Sequence, residues 1–144
     1  MSVKQISIFV ENKPGAMNEM TKVLADHKVN MRALSLAETE GFGIVRIIVD
    51  DVLNTTTILK DAGYVSQINS VVIVAIADEA GGLNAVLDVL TDSGINIQYM
   101  YAILGGHKEE KAYMILRVDD TKKAVAALRA RGIEMVDQDE ISTL

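Results

Sequence analysis

Cysteine and tryptophan are absent from the 144-residue sequence, and proline occurs only once. Without cysteine, the chain can form no disulfide, no thiolate metal site and no cysteine nucleophile. Aromatic residues make up only 4% of the chain, and 20 acidic against 14 basic residues give a net charge of −6. Because the chain is acidic and has no basic stretch, we expect it to bind neither nucleic acid nor an anionic membrane surface.

Signatures of catalysis and of targeting are missing as well. Neither histidine has a neighbouring pattern typical of a catalytic triad or a metal site, and no phosphate-binding or dinucleotide-binding glycine motif occurs. We expect His27 to be structural at a helix C-terminus and His107 to be solvated in a hairpin. No signal peptide or membrane span is predicted. We therefore expect a cytoplasmic protein that is not an enzyme and uses no cofactor or metal.

What the sequence does contain is an internal repeat. Four pairs of similar residues lie 66 positions apart: Asn12 and Asp78, Gly15 and Gly81, Leu24 and Leu90, and Asn30 and Asn96. Beyond a hairpin at 105–111 the offset becomes 69, which places three extra residues in that hairpin. A fixed offset indicates a duplicated structural unit. The sequence therefore predicts two modules, residues 1–69 and 70–144, with no linker between them.

Both copies show the same order of predicted elements. Alternating apolar residues predict strands, and apolar residues three to four apart predict helices. The predicted strands are 5–10, 29–36, 43–49 and 64–68 in the first copy, and 71–77, 95–104, 112–118 and 133–137 in the second. The predicted helices are 16–27, 52–62, 83–93 and 121–131, followed by a polar, partly frayed tail at 138–144. This order predicts an α+β fold of two ferredoxin-like βαββαβ modules, each an antiparallel sheet with helices on one face.

Acidic pairs precede the second helix of each copy, as Asp50-Asp51 and Asp119-Asp120. Paired carboxylates can bind metals or catalyse proton transfer, but at a helix N-terminus they more often act as caps. The recurrence of the pair before an equivalent helix favours capping.

Two polar turns between the first strand and the first helix of each copy are the candidate binding loops. They are Asn12-Lys13-Pro14-Gly15-Ala16-Met17 and Asp78-Glu79-Ala80-Gly81-Gly82-Leu83. Such a turn leaves free backbone N–H groups at the helix N-terminus, which suit a ligand carboxylate, and glycine permits close approach. Asn12 or Asp78 offers an acceptor for a ligand ammonium group. In the alternative, these residues only cap the helices.

These features together resemble a tandem pair of ACT domains. The resemblance covers residues 3–137 and rests on a polar-x-Pro-Gly turn after strand one and a hydrophobic-Asn-hydrophobic start of strand two. These motifs correspond to Asn12–Gly15 with Val29-Asn30-Met31, and to Asp78–Gly81 with Ile95-Asn96-Ile97. Ala80 departs from the motif, which has proline there.

The resemblance implies a non-catalytic regulatory protein that binds a free amino acid. It places the ligand between the first loop of one module and the start of strand two of the other, at Asn30 and Met31 or at Asn96 and Ile97. A regulatory subunit that docks onto an enzyme of amino-acid metabolism is the alternative. RNA-recognition modules share the topology, but the sequence pI of 4.8 argues against RNA binding.

The strands of the second copy are apolar on both faces instead of alternating, as in Val71–Ile76. A sheet that is covered by helices on one face normally alternates apolar and polar residues. A helix-free face with Ile73, Ala75 and some tyrosines would expose a large apolar patch, which usually marks an interface. We therefore expect a homodimer that packs sheet against sheet about a two-fold axis. Coverage by the first half of the same chain is the alternative.

Overall fold

In a computed structural model that describes residues 2–105 and 110–144, strands and helices follow in the predicted order. The first half of the chain forms β1 (Val3–Glu11), α1 (Ala16–Asp26), β2 (Met31–Thr39), β3 (Phe42–Val49), α2 (Val52–Asp61) and the start of β4 (Ser66–Ala77). The second half continues with α3 (Gly82–Asp92), β5 (Ile97–Ala102), β6 (Lys111–Val118), α4 (Thr121–Ala130), β7 (Met135–Val136) and a 3₁₀ helix (Gln138–Thr143). His107, predicted to be solvated, lies outside the described residues.

Internal contacts divide the chain within β4. One unit consists of Lys4–Asn69, and the other of Ser70–Leu144 together with the residues up to Val3. We refer to them as the first and the second module. The strands predicted separately at 64–68 and 71–77 are thus one strand, because no glycine, proline or turn interrupts Ser66–Ala77.

Each module has an antiparallel sheet in ferredoxin-like order. The first has the order β2-β3-β1-β4, and in the second β6 lies between β4 and β5 while β7 pairs with β4. The register of strand two shifts at the same place in both, between Met31 and Ala33 and between Ile97 and Tyr99. These shifts mark β-bulges 66 residues apart. The α+β fold with two βαββαβ modules is therefore confirmed.

Each module also has its own core between its sheet and its two helices. Every second residue of the strands points toward the helices and packs against apolar residues of both. The positions that form these contacts correspond between the two copies. They are Ile6, Ile8, Val10, Met20, Leu24 and Leu59 in the first module, and Val72, Val74, Ile76, Val86, Leu90 and Leu128 in the second. The predicted periodicity therefore identifies the face of each element that is buried.

The predicted helix caps form in both modules. The Asp51 carboxylate accepts a hydrogen bond from the Asn54 N–H at 3.1 Å, and the Asp120 carboxylate accepts one from the Lys123 N–H at 3.0 Å. Within the described residues, no group of three or more acidic or histidine side chains is arranged to hold a metal ion. No helix of that part of the chain is long and apolar enough to cross a membrane. His27 ends α1, with its Nδ1 2.8 Å from the carbonyl oxygen of Val23.

One expectation about exposure was wrong. The tail is not frayed: its 3₁₀ helix starts with a capping box between Asp137 and Glu140, and its one inward apolar residue, Ile141, is fully buried. On the helix-free face of the second sheet, Ile73 is 0% and Tyr113 3% exposed within the single chain. This face therefore gives no support to the expected homodimer, which stays a prediction.

Candidate ligand-binding loops and clefts

The two candidate loops have the same backbone geometry at the start of the helix. Gly15 and Gly81 precede α1 and α3 with φ of 86° in both cases and ψ of −16° and −6°. A residue with a Cβ is strained in this left-handed region, so the conformation favours glycine. Neither helix start has a side-chain cap. Asn12 and Asp78 therefore do not cap these helices through their side chains. That the loops bind a ligand, and are not ordinary turns between a strand and a helix, stays a prediction.

At the start of α1, two backbone N–H groups are left for a ligand. The Ala16 N–H donates to the Lys13 carbonyl at 3.3 Å, and the Glu19 N–H makes the first helical bond, to the cap glycine, at 2.9 Å. Within the described residues, the N–H groups of Met17 and Asn18 have no carbonyl partner outside the helix, and a first helical turn offers none inside it. The helix dipole favours an anion at this point.

The start of α3 repeats this arrangement. The Gly82 N–H donates to the Glu79 carbonyl at 3.0 Å, and the Ala85 N–H makes the first helical bond at 3.2 Å. In the part of the chain that the structure describes, Leu83 and Asn84 are therefore left with free N–H groups at the equivalent place.

A cleft lies beside each loop, with the turn from the second helix of the module to its last strand as the opposite wall. The first cleft has a volume of about 230 Å³ and the second about 430 Å³. Every residue that lines the first cleft has its counterpart among those lining the second, at the offset of 66 or 69. Gly63 and Gly132, for example, form the equivalent part of the opposite wall. We refer to these two spaces as the first and the second cleft.

Charged side chains lie at the edges of both clefts. In the first, Lys13 Nζ is 3.0 Å from Glu11 Oε2, and both side chains are more than half exposed. The hydrogen bond to Glu11 and the charge of that carboxylate raise the pKa of Lys13, and the charge of Glu19 acts in the same direction. In the second, Lys111 Nζ lies 3.9 Å from Glu134 Oε2.

The first loop also borders a groove of about 310 Å³ on its other side. Asn12, Lys13 and Met17 face Leu36 and Glu38 across this groove. These last two residues belong to the end of β2 of the same module, whereas the predicted contact is with the start of strand two of the other module. The polar residue that was predicted to receive a ligand ammonium group, Asn12, therefore borders the groove and not the first cleft.

In the first module, the predicted asparagine lies far from the loop of the same module. Asn30 is exposed and comes one residue before β2. Thr39, at the other end of β2, pairs with Phe42, which in turn pairs with Glu11 beside the loop. At about 3.3 Å per residue, the length of β2 separates Asn30 from the loop of its own module by roughly 25 Å. The predicted contact with a loop of another module stays a prediction.

The start of strand two is held differently in the two modules. In the second, the Asn96 N–H donates to Asp119 Oδ1 and the Asp119 N–H donates to the Asn96 carbonyl, both at 3.1 Å. In the first, Asp50 accepts two hydrogen bonds from Arg32, at 2.9 and 3.2 Å, which raise the pKa of that guanidinium. The second module therefore fixes the backbone of its asparagine and leaves the side-chain amide out of this contact.

The sequence did not predict the second wall of either cleft. Gly63 lies between the helix predicted at 52–62 and the strand predicted at 64–68, and Tyr64 and Val65 were predicted only as residues of that strand. Glu19, on the first turn of α1, was not considered either. The repeat could have indicated this wall, because Gly63 and Gly132 match at the offset of 69.

Comparison with known proteins supports the pattern of two copies. The model of the ACT domain pair family matches residues 1–144. Among solved structures, protein BT0572 from Bacteroides thetaiotaomicron is 33% identical, with a TM-score of 0.91 over 100% of this chain and 98% of that one. No curated protein matches the sequence.

More distant structures share the fold. The ligand-free regulatory subunit of aspartate kinase from Thermus thermophilus is 16% identical, with a TM-score of 0.63 over 90% of each chain. A structure of aspartokinase alpha and beta subunits is 20% identical, with a TM-score of 0.57 over 97% of this chain and 93% of that one.

Proposed function

The chain belongs to the family of ACT domain pairs, and we propose that it is a non-catalytic regulatory protein that binds a free amino acid. The observation that carries this proposal is the repeated helix start. Both modules enter their first helix through a left-handed glycine and leave two N–H groups unpaired there. Such a helix start suits the carboxylate of a small ligand. A cleft lies beside each of these loops.

The size of the clefts supports a ligand as small as an amino acid. Pockets for drug-sized ligands measure about 300–1,000 Å³. The first cleft, at about 230 Å³, is smaller than this range, and the second, at about 430 Å³, lies near its lower end, so an amino acid fits in either. The proposed contacts of the ligand with strand two are those predicted from the sequence, at Asn30 and Met31 or at Asn96 and Ile97. Asn30 and Asn96 are exposed and offer both a donor and an acceptor.

A second candidate function is docking onto an enzyme of amino-acid metabolism. The observation that favours it is the structural similarity to a regulatory subunit of aspartate kinase. A pull-down with the whole chain from its native cell extract distinguishes the two candidates. A stoichiometric enzyme partner supports the regulatory subunit, whereas ligand binding by the isolated chain supports a stand-alone binding protein. Location in the cytoplasm and assembly as a homodimer stay predictions, and light scattering measures the latter.

Thermal unfolding with the twenty L-amino acids tests the main proposal. A ligand present at 100 times its dissociation constant adds about 2.7 kcal/mol to the free energy of unfolding. We therefore expect at least one amino acid at millimolar concentration to raise the melting temperature. Nucleotides and divalent metal ions serve as controls and should have no effect. If one of them raises the melting temperature and no amino acid does, the proposed function is wrong.

A further inference from the structure

We propose that the acidic end of the β2–β3 hairpin of one copy of this chain docks against the basic outer face of α4 of a second copy. The hairpin surface consists of Leu36, Glu38 and Glu40, and the α4 face consists of Lys122, Val125, Ala126 and Arg129. The inference goes beyond the proposed function, since it concerns assembly and needs no ligand. It also differs from the homodimer predicted from the sequence, which packs sheet against sheet.

The hairpin surface combines an exposed leucine with two carboxylates. Leu36 is 57% exposed, and Glu38 lies two residues further on the same face of β2, with Glu40 in the following turn. Within the described residues, neither glutamate forms an ion pair. Lys13, which lines the same groove as Leu36 and Glu38, is paired with Glu11 at 3.0 Å. The end of the hairpin is therefore both apolar and acidic, which is typical of a contact surface for a basic partner.

The α4 face has the opposite charge and an apolar centre. Lys122 and Arg129 are exposed and lie two helical turns apart, about 10 Å along the helix axis. In the part of the chain that the structure describes, neither forms an ion pair. Val125 and Ala126 lie between them, and all four residues line a cleft of about 240 Å³, which Ser2 also lines. An apolar side chain can therefore enter this cleft while carboxylates beside it meet the two cations.

The carboxylates that precede α4 do not pair with the α4 face. No acidic residue occurs between positions 121 and 131. Asp119 accepts a hydrogen bond from the Asn96 N–H at 3.1 Å, and Asp120 accepts one from the Lys123 N–H at 3.0 Å. Both carboxylates thus bond to backbone groups at the start of the helix. An acidic surface that meets the α4 face must therefore come from outside these elements.

A second copy of the chain carries the complementary surface in each case. Both surfaces are exposed in the single chain, so their occupants come from outside it. Complementary charge attracts two surfaces to each other and fixes their register. A net charge of −6 makes copies of the chain repel one another elsewhere, so the α4 face is a place where an acidic surface of another copy is attracted.

Each surface occurs once per chain, on a different module. The counterpart of Glu38 in the second module is Leu104, and the counterpart of Lys122 in the first is Leu53. Because the two surfaces differ, the contact is heterologous, and the outer copies of an assembly keep one surface of each kind free. Self-association should therefore be weak and reversible, and it should continue beyond a dimer unless it closes into a ring.

Sedimentation equilibrium of the whole chain, from micromolar to millimolar concentration, tests this inference. We expect the average mass to rise above that of the monomer with concentration. Raising the salt from about 0.1 M to about 1 M shortens the Debye length from about 10 Å to about 3 Å and should weaken the association. Leu36→Ala should weaken it by about tenfold, because a buried leucine side chain is lost from the contact. A monomer at every concentration, or a mass that does not respond to salt, overturns the inference.

Charge reversal assigns the contact to the two surfaces. The hairpin variant is Glu38→Lys with Glu40→Lys, and the α4 variant is Lys122→Glu with Arg129→Glu. In either variant alone, like charges face each other, so self-association should weaken by about tenfold or more. An equimolar mixture of the two should associate as the wild type does. The reversed hairpin then fits the reversed α4 face, and the unchanged hairpin of one variant fits the unchanged α4 face of the other.

A matched control separates this contact from an effect of net charge. Asp26→Lys with Asp61→Lys changes the net charge as the hairpin variant does, at two exposed positions outside both surfaces, and should associate as the wild type does. All the substituted charges are exposed, so the melting temperatures should stay within a few degrees of the wild type. If the mixture of the two reversed variants does not regain association, the two surfaces do not meet and the inference is overturned. If every variant keeps the mass of the wild type, the copies meet elsewhere, and the inference is wrong as well.

Discussion

At positions in the cores, the two modules keep residues of the same type, but the charged residues that line the clefts differ between them. Leu24 and Leu90 occupy equivalent places in the two cores. Lys13 and Glu79 occupy equivalent places in the two loops and have opposite charges. The comparison shows that the two candidate loops share their backbone geometry although the charged residues beside them differ.

The two loops also differ in how closely they approach the preceding strand. A Cβ at Gly82 would lie 2.0 Å from the carbonyl oxygen of Ala77, far inside contact distance. The equivalent residue of the first loop is Ala16, whose Cβ is accommodated and buried. The first loop contains Pro14, whose ring restricts the backbone, whereas the second has Ala80 there and packs closely through Gly82. The two loops therefore restrict their backbones by different means.

The largest effect is expected for Gly82→Ala. Gly82 does not have a positive φ, so the added Cβ acts only through its clash with the Ala77 carbonyl. Overpacking of this kind typically costs about 1–3 kcal/mol, and we expect a loss of about 2–3 kcal/mol in the free energy of unfolding, because the obstacle is backbone. Urea denaturation measures it.

The matched control in the first loop is the reverse change, Ala16→Gly. It removes one buried methyl group and creates no clash, so we expect a loss of about 1 kcal/mol. Equal losses for the two variants would show that the loops approach their strands alike and that the comparison is wrong.

A smaller loss of stability, equal in both modules, is expected for substitution of the left-handed glycine that precedes the first helix of each module. Gly15→Ala and Gly81→Ala each place a Cβ at a φ of 86°, with no other atom within 4 Å of it. The cost is therefore that of the left-handed backbone alone, about 1–2 kcal/mol. Urea denaturation of the two single variants should give free energies of unfolding that agree within about 0.5 kcal/mol. A difference above 1 kcal/mol would mean that the two helix starts are not equivalent.

Local patterns predicted the elements and the cores of both modules, because alternation and helical spacing identify the buried faces directly. They did not predict that Ser66–Ala77 is one strand, since the boundary between two repeats does not require a break in a strand. They also missed the buried Ile141, a single apolar anchor in a polar tail. The clefts were missed for a related reason: the wall at Gly63 comes from a turn about 50 residues from the loop, and periodicity carries no information on such long-range contacts.

The smallest change in stability is expected for the substitution of Asn96, at the start of strand two of the second module. The Asn96 backbone makes both hydrogen bonds with Asp119, and its side chain makes neither. Asn96→Ala should therefore leave the free energy of unfolding within about 0.5 kcal/mol of the wild type, as is usual for exposed positions. Asp119→Ala, the control, removes the acceptor of the Asn96 N–H and should cost about 1 kcal/mol.

Binding then distinguishes the two asparagines. If a side-chain amide at the start of strand two contacts the ligand, Asn96→Ala or Asn30→Ala should weaken amino-acid binding by about three- to tenfold in calorimetry, as expected for one hydrogen bond. If only one of the two substitutions weakens binding, the two modules differ in ligand binding as well as in the charged residues beside their loops. A large loss of stability in Asn96→Ala, with unchanged affinity, would instead make this asparagine a structural residue of the turn before β5, and the binding surface would then consist of the loops and clefts alone.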